Sequence, residues 1–130
     1  MIELSKLEVF PIIFRIEGLG EAEGELYRVK APHSAEQIWY SLPLSGRVKI
    51  YENAEAYFLV DFQVKPEHPT FDVESGDIAY WPMSKAICIF WEKIRPYSEV
   101  NIVGKITKNL ELFKQMKSLT RIVVEKHEKK

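Results

Sequence analysis

Cysteine is almost missing from this chain of 130 residues, since Cys88 stands alone. A single cysteine excludes an internal disulfide framework and fits a reducing compartment. An excess of one charge is missing too: 18 basic residues face 19 acidic ones, for a net charge of −1. No broad field therefore draws the chain to nucleic acid or to an anionic membrane. No run approaches the roughly 20 apolar residues that cross a bilayer, and residues 1–6 lack the apolar centre of a signal peptide. The expectation is a cytoplasmic protein with neither nucleic acid nor membrane as partner. Amides are scarce, with three Asn and three Gln beside abundant Glu and Lys, a composition that leans toward a thermophile. Only the end, residues 126–130, is locally basic, and it reads as a solvated terminus.

A complete catalytic constellation is also lacking. The segment from Gly18 to Gly24 has three glycines, but their spacing is wrong for a dinucleotide fingerprint, no Lys-Ser/Thr follows, and its acids repel phosphate. His33, His68 and His127 are scattered. His33 with Glu36, or Glu67 with His68, supplies two ligands at most, short of a tetrahedral site, so neither a metal nor any other cofactor is expected. Cys88 between Ile87 and Ile89 reads as a core residue rather than a nucleophile. Asp61 and Asp77 are the acids in the most apolar surroundings. Asp77 after Gly76 reads as a turn residue and Asp61 as the partner of a neighbouring Lys or Arg, so neither forms an acid/base pair.

What is present is apolar content, 46% of residues, enough for one continuous core in a single domain over residues 1–130. Residues 7–16 are rich in Val, Ile and Phe and predict a strand, with Pro11 at an edge or bulge. The glycines of residues 17–24 predict the turn of a hairpin returning through residues 25–30. Ser34 to Gln37 spells a capping box, and Ala35, Ile38, Trp39 and Leu42 recur at helical spacing before Pro43. Strands follow at residues 47–51 and 56–64, the latter alternating Ala56, Phe58, Val60, Phe62 and Val64 against polar neighbours. Further strands are predicted at residues 71–74, 77–81, 87–91, 100–106 and 119–125, with a loop at 93–98. A second short helix runs from an Asn109 cap to about Lys117, with Phe113 and Met116 facing the core. The last strand is placed to pair near the first, and about eight strands with two short helices favour a closed β-barrel over an open sandwich.

Aromatic residues gather on adjacent predicted strands. Alternation sends Phe58 and Phe62 to one face and Tyr57 to the other, so part of the set is core and part can pave a cleft. The candidate ligand-binding residues are Arg47, Tyr51, Tyr57, Phe62, Tyr80, Trp81 and Phe90: Arg47 supplies charge or a hydrogen-bond donor and the rings supply apolar area. The partner expected from this set is a small molecule or a proline-containing peptide. A homodimer or a docked partner at the Tyr80-Trp81 rim is the structural alternative.

The segments Ala35-Glu36-Gln37-Ile38-Trp39 with Leu42-Pro43-Leu44, Gly76-Asp77-Ile78-Ala79-Tyr80-Trp81-Pro82, Ala86-Ile87-Cys88-Ile89-Phe90 and Val100-Asn101-Ile102-Val103-Gly104-Lys105-Ile106 carry a resemblance. With them the chain resembles the small, mostly archaeal and thermophilic cyclophilin-like proteins of uncharacterised function. The resemblance implies a cyclophilin-like β-barrel flanked by two helices. Prolyl-isomerising cyclophilins use an arginine in a Phe-His-Arg motif, a nearby glutamine and a proline pocket. Here neither Phe-His-Arg nor Gln-Gly-Gly occurs. Arg47 is the arginine nearest the corresponding strand region, which leaves a divergent peptidyl-prolyl isomerase as the enzymatic alternative to a binding domain without catalysis.

Overall fold

A computed structural model describes residues 9–127. The expected strand start at Leu7 and the charged residues 128–130 lie outside the described residues. Nine strands form one antiparallel sheet: β1 (Val9–Ile16), β2 (Gly20–Tyr27), β3 (Leu44–Arg47), β4 (Lys49–Tyr51), β5 (Glu55–Leu59), β6 (Asp77–Trp81), β7 (Ala86–Phe90), β8 (Asn101–Lys108) and β9 (Arg121–Lys126). Their spatial order is β3-β9-β1-β2-β8-β6-β7-β5-β4. The two ends of that order, β3 and β4, are consecutive in sequence and separated only by Val48. Val48 donates its N–H to the Thr120 carbonyl at 3.0 Å and accepts from Leu119 N–H at 2.7 Å, so the pairing with β9 runs on to the corner. One bent strand thus closes a mainly β barrel, eight-stranded if the bent strand is counted once.

Inward positions alternate along each strand, as the pleat requires. Ile12, Phe14 and Ile16 of β1, Ala22 and Leu26 of β2, Ala56 and Phe58 of β5, Ile78 and Tyr80 of β6, and Ile87 and Ile89 of β7 belong to one buried cluster. Gly24 faces inward among them rather than sitting in the hairpin turn. A Cβ there would lie 3.2 Å from Ile78 and 3.3 Å from the Phe14 ring, so glycine leaves space for those larger side chains. The turn itself is shorter than expected, spanning residues 17–19. Pro11 lies within β1 between β2 and β9 rather than at a sheet edge. Its carbonyl accepts from His127 N–H just past the end of β9, so the missing donor falls where that ladder has run out.

Three other local expectations are corrected. The strand predicted over 56–64 stops at Leu59, because the Tyr80 hydroxyl donates to the Phe62 carbonyl at 3.0 Å and accepts from Val64 N–H at 3.1 Å, diverting that backbone from the ladder. Phe62 still stacks on Tyr80, at 5.9 Å between ring centroids, which is why the alternation outlasts the strand. Residues 71–74 form no strand. Only Thr70 bridges to Val100, and Lys93 Nζ holds Asp72 and Glu74 at 2.9 Å each. The second helix is a 3-10 turn, Leu110–Gln115, and Asn109 does not cap it: its backbone is left-handed and its side-chain amide donates to the Glu21 carbonyl. Phe113 and Met116 are buried as expected.

The first helix, α1 (Pro32–Ser41), starts two residues before the expected cap. Ser34 therefore lies inside it and is fully buried. Its orphaned N-terminal donors are met from a distant loop: Glu67 accepts from the His33 N–H, the Ser34 N–H and the Ser34 hydroxyl, all within 2.8–2.9 Å. Buried Asn101 completes the network, accepting from Glu67 N–H and donating to Ser34 Oγ and the Lys65 carbonyl. Burial alone raises the Glu67 pKa, but the three donated hydrogen bonds outweigh it and hold the carboxyl below its ordinary value. That stabilisation is present above the ordinary carboxylate range and is lost as pH falls through it. Glu67→Gln is expected to cost about 1 kcal/mol at neutral pH and to flatten the loss of stability toward pH 3. Urea titrations of both proteins across that range check it, and parallel acid limbs would refute it.

Candidate functional site

β7 carries five consecutive buried residues, Ala86–Phe90, so both of its faces are covered. The register shows what lies on the outer one. Tyr51 stands opposite Glu55, Glu55 opposite Phe90, Tyr57 opposite Cys88, and Cys88 opposite Ala79, and paired residues share a face. Cys88 is thus no part of the barrel interior. With Val73, Ala79, Phe90, Val100 and Ile102 it forms a second buried cluster, against which Tyr57, Trp81 and Ile94 pack.

Two loops cover this cluster. Residues 60–76 and 91–100 are joined by reciprocal Thr70 and Val100 backbone hydrogen bonds, by Lys93 with Asp72 and Glu74, and by Arg95, whose guanidinium lies 3.8 Å above the Phe71 ring. The Trp81 indole N–H donates to Ser98 of the second loop. Where Pro96 and Tyr97 overhang β4, β5 and β6, a cavity of about 200 Å³ remains, lined by Tyr51, Glu55, Tyr57, Trp81, Pro96, Tyr97 and Val100. Its rings are set at angles: Tyr57 and Trp81 are 5.3 Å apart at 83°, Trp81 and Tyr97 6.0 Å apart at 60°.

Glu55 is the acid of this cavity, and only 3% of its surface is exposed. Burial pushes its pKa from 4.5 up to about 7, opposed in part by the neighbouring Cys88 thiol. The thiol is in turn raised well above its ordinary value, by burial first and then by the neighbouring carboxyl. No ion pair involves Glu55 among the described residues.

Of the residues the sequence singled out, Tyr51, Tyr57 and Trp81 come together here. The other four lie elsewhere. Tyr80 is fully buried inside the barrel with Phe62 stacked on it. Phe90 is fully buried in the outer cluster beneath the cavity. Arg47 is exposed on β3, donating to the Leu119 carbonyl at 3.2 Å. Asp77 does act as a turn residue, accepting from Glu74 N–H at 2.8 Å. Asp61 is exposed and forms no ion pair among the described residues. Glu55 and Tyr97 were missed. Glu55 alternates with inward Ala56, which assigns it to a solvated face. The signal against that was the unbroken apolar run Ile87 to Trp91, since a strand buried on both faces requires its neighbours' outer residues to be covered as well.

A larger, more open groove of about 660 Å³ lies between α1 and residues 63–67. Both of its carboxylates are already engaged, Glu67 by three donors and Glu36 by Arg28 at 2.8 Å. The smaller cavity, with aromatic walls and an acid that meets only a thiol, is the better candidate site. Among the described residues no helix is long and apolar enough to cross a membrane, and no three His, Cys, Asp or Glu gather as metal ligands.

A nearly closed antiparallel barrel with two short helical segments is a cyclophilin-like architecture. The chain belongs to the Cyclophilin-like family, whose profile matches residues 11–125. A hypothetical protein from Archaeoglobus fulgidus, AF2241, has a solution structure that superposes with a TM-score of 0.75 at 33% identity, covering 92% of this chain and 95% of that one. McbB, solved in complex with tryptophan, superposes with a TM-score of 0.76 at 12% identity, and the shared fold spans 92% of this chain but 45% of McbB. No curated protein matches the chain.

The raised Glu55 pKa has a consequence for stability. Between 4.5 and about 7 the folded protein binds a proton that the unfolded chain has released, so stability falls as pH rises through that window. The gap corresponds to roughly 3 kcal/mol. Replacing the acid with its neutral isostere, Glu55→Gln, should remove this slope and leave the variant more stable than wild type at pH 8 relative to pH 5. Denaturant midpoints at the two pH values measure it, and equal pH dependence in both proteins would contradict the burial argument.

Proposed function

We propose that this protein is a ligand-binding domain whose site is the aromatic cavity on the outer wall of the barrel, between β4, β5, β6 and the loop at residues 91–100. The observation that carries this reading is the meeting of Tyr51, Tyr57, Trp81 and Tyr97 around one partly open space that also holds a buried carboxyl. Ligand cavities commonly span roughly 300–1,000 Å³. A volume of about 200 Å³ therefore suits a fragment-sized molecule or one inserted group of a larger one, such as a proline ring. McbB was solved with tryptophan, which makes an indole a reasonable probe. The isomerase alternative asks for a guanidinium beside the bound amide, and no arginine lines the cavity. An apolar pocket lacking that donor binds a prolyl group without lowering the rotation barrier of roughly 18–20 kcal/mol.

Indole and N-acetylprolinamide are the first probes, followed through the Trp81 indole N–H and the Val100 amide in proton–nitrogen NMR spectra. Fragments of this size are expected to bind at least one of the two cases with a Kd on the order of 1 mM, and Tyr57→Ala should weaken that binding severalfold. Resonances of Trp81 and Val100 that stay fixed with both probes at tens of millimolar would remove the cleft as a ligand site.

A further inference from the structure

Resting on the reading of this cavity as a ligand site, a narrower chemistry follows from what lines it. The walls include four aromatic rings, and Trp81 is inclined at 83° to Tyr57 and at 60° to Tyr97. The rings therefore bound a space from several directions rather than stacking into a slot that would grip one flat molecule. Aromatic faces carry negative electrostatic potential and attract cations, most strongly where water is excluded. The one ionisable group of the cavity other than tyrosine is an acid, and it is almost wholly buried. No Lys, Arg or His lines the space, so the protein supplies no positive charge to meet that acid. Glu55 is faced by the Cys88 thiol from β7, by the Tyr51 ring from β4, by Tyr57 on its own strand and by Tyr97 from the covering loop.

We propose that the cavity is an ammonium site: it takes an alkylated ammonium group, quaternary or protonated tertiary, with the rings of Tyr57, Trp81 and Tyr97 as walls and the Glu55 carboxylate as counter-charge. A compact trialkylammonium head suits a volume of about 200 Å³, and its spread charge sheds water more readily than a primary ammonium does. Binding couples to the protonation of Glu55. With a pKa of about 7 in the empty site, the carboxyl is mostly neutral at pH 6 and mostly ionised at pH 8, so a cation binds more tightly as pH rises through that range. Cys88, raised well above its ordinary value, keeps its proton throughout.

The test uses choline and its neutral carbon isostere, 3,3-dimethylbutan-1-ol, titrated calorimetrically into the full chain and into Glu55→Gln. Choline should bind wild type at pH 8 at least about tenfold more tightly than the alcohol and about tenfold more tightly than it binds Glu55→Gln. Its affinity for wild type should drop close to tenfold between pH 8 and pH 6 and stay flat in the variant. Alcohol and choline binding alike, or a Glu55→Gln variant that keeps full choline affinity, would overturn the ammonium site while leaving the cleft a ligand site. Absence of choline binding alongside binding of indole or the prolyl probe has the same meaning. If choline, the alcohol, indole and the prolyl amide all fail to bind, both readings fall together. Glu55→Gln removes a buried acid without changing its shape, so loss of binding in it is not loss of fold, and its unfolding midpoint verifies this.

Discussion

The corner at Val48 is the constraint from which the remaining architecture follows. One strand gives its first half to β9 and its second half to β5, and a fully buried valine at the bend keeps the ladder to β9 continuous. The two ends of the strand order are thereby joined at one corner, with β3 paired to β9 and β4 paired to β5. Closure also fixes the inside and outside for every strand, because a slip of one residue would exchange the two faces throughout. Close contacts lock that register elsewhere. At Gly104 an added Cβ would sit 2.0 Å from the Glu25 carbonyl oxygen, so β2 and β8 approach too closely for any side chain at that point.

Once the faces are set, β5, β6, β7 and β8 present apolar residues outward as well as inward, and the outward set needs cover. Loops rather than a second sheet provide it, and loops bring backbone and side-chain polar groups that must be satisfied. Two glutamates illustrate the opposite outcomes. Glu67 receives three donors from α1 and is held ionised. Glu55 meets only a thiol, and burial pushes it toward its neutral form. The same side chain serves as a structural clamp in one place and as an unmatched acid in another, decided by how many N–H and O–H groups point at it.

The barrel is largely legible in the sequence, since alternation at Ala56 and Phe58, the β-branched run near the end of the chain, and the Ser75-Gly76 reversal each reflect a local pattern. Errors arose where a side chain from far along the chain competes with the local pattern. Tyr80 captures the backbone at Phe62 and Val64, Glu67 replaces the serine cap of α1, and Asn109 turns back to Glu21. The site was partly legible for the same reason. Tyr51, Tyr57 and Trp81 could be drawn from strand patterning, whereas Tyr97 depends on where a loop folds back, and Glu55 looks solvated until that loop is known to lie over it.

The division of the apolar residues into two clusters separates the energetics of the cleft from those of the barrel. Trp91 at the start of the loop at residues 91–100 belongs to the barrel cluster, whereas Ile94, Pro96, Tyr97 and Val100 beyond it belong to the outer cluster or its cavity. Lifting of the loop beyond Trp91 would uncover the small cluster and leave the ring of strands hydrogen-bonded. The free energy of such an opening is set by a few contacts and is lower than that of global unfolding. Amide hydrogens of this loop should accordingly exchange with solvent by a local route, while those of β1, β2 and β8 wait for the whole barrel to come apart, so entry to the cleft can be fast in a protein whose fold is slow to open.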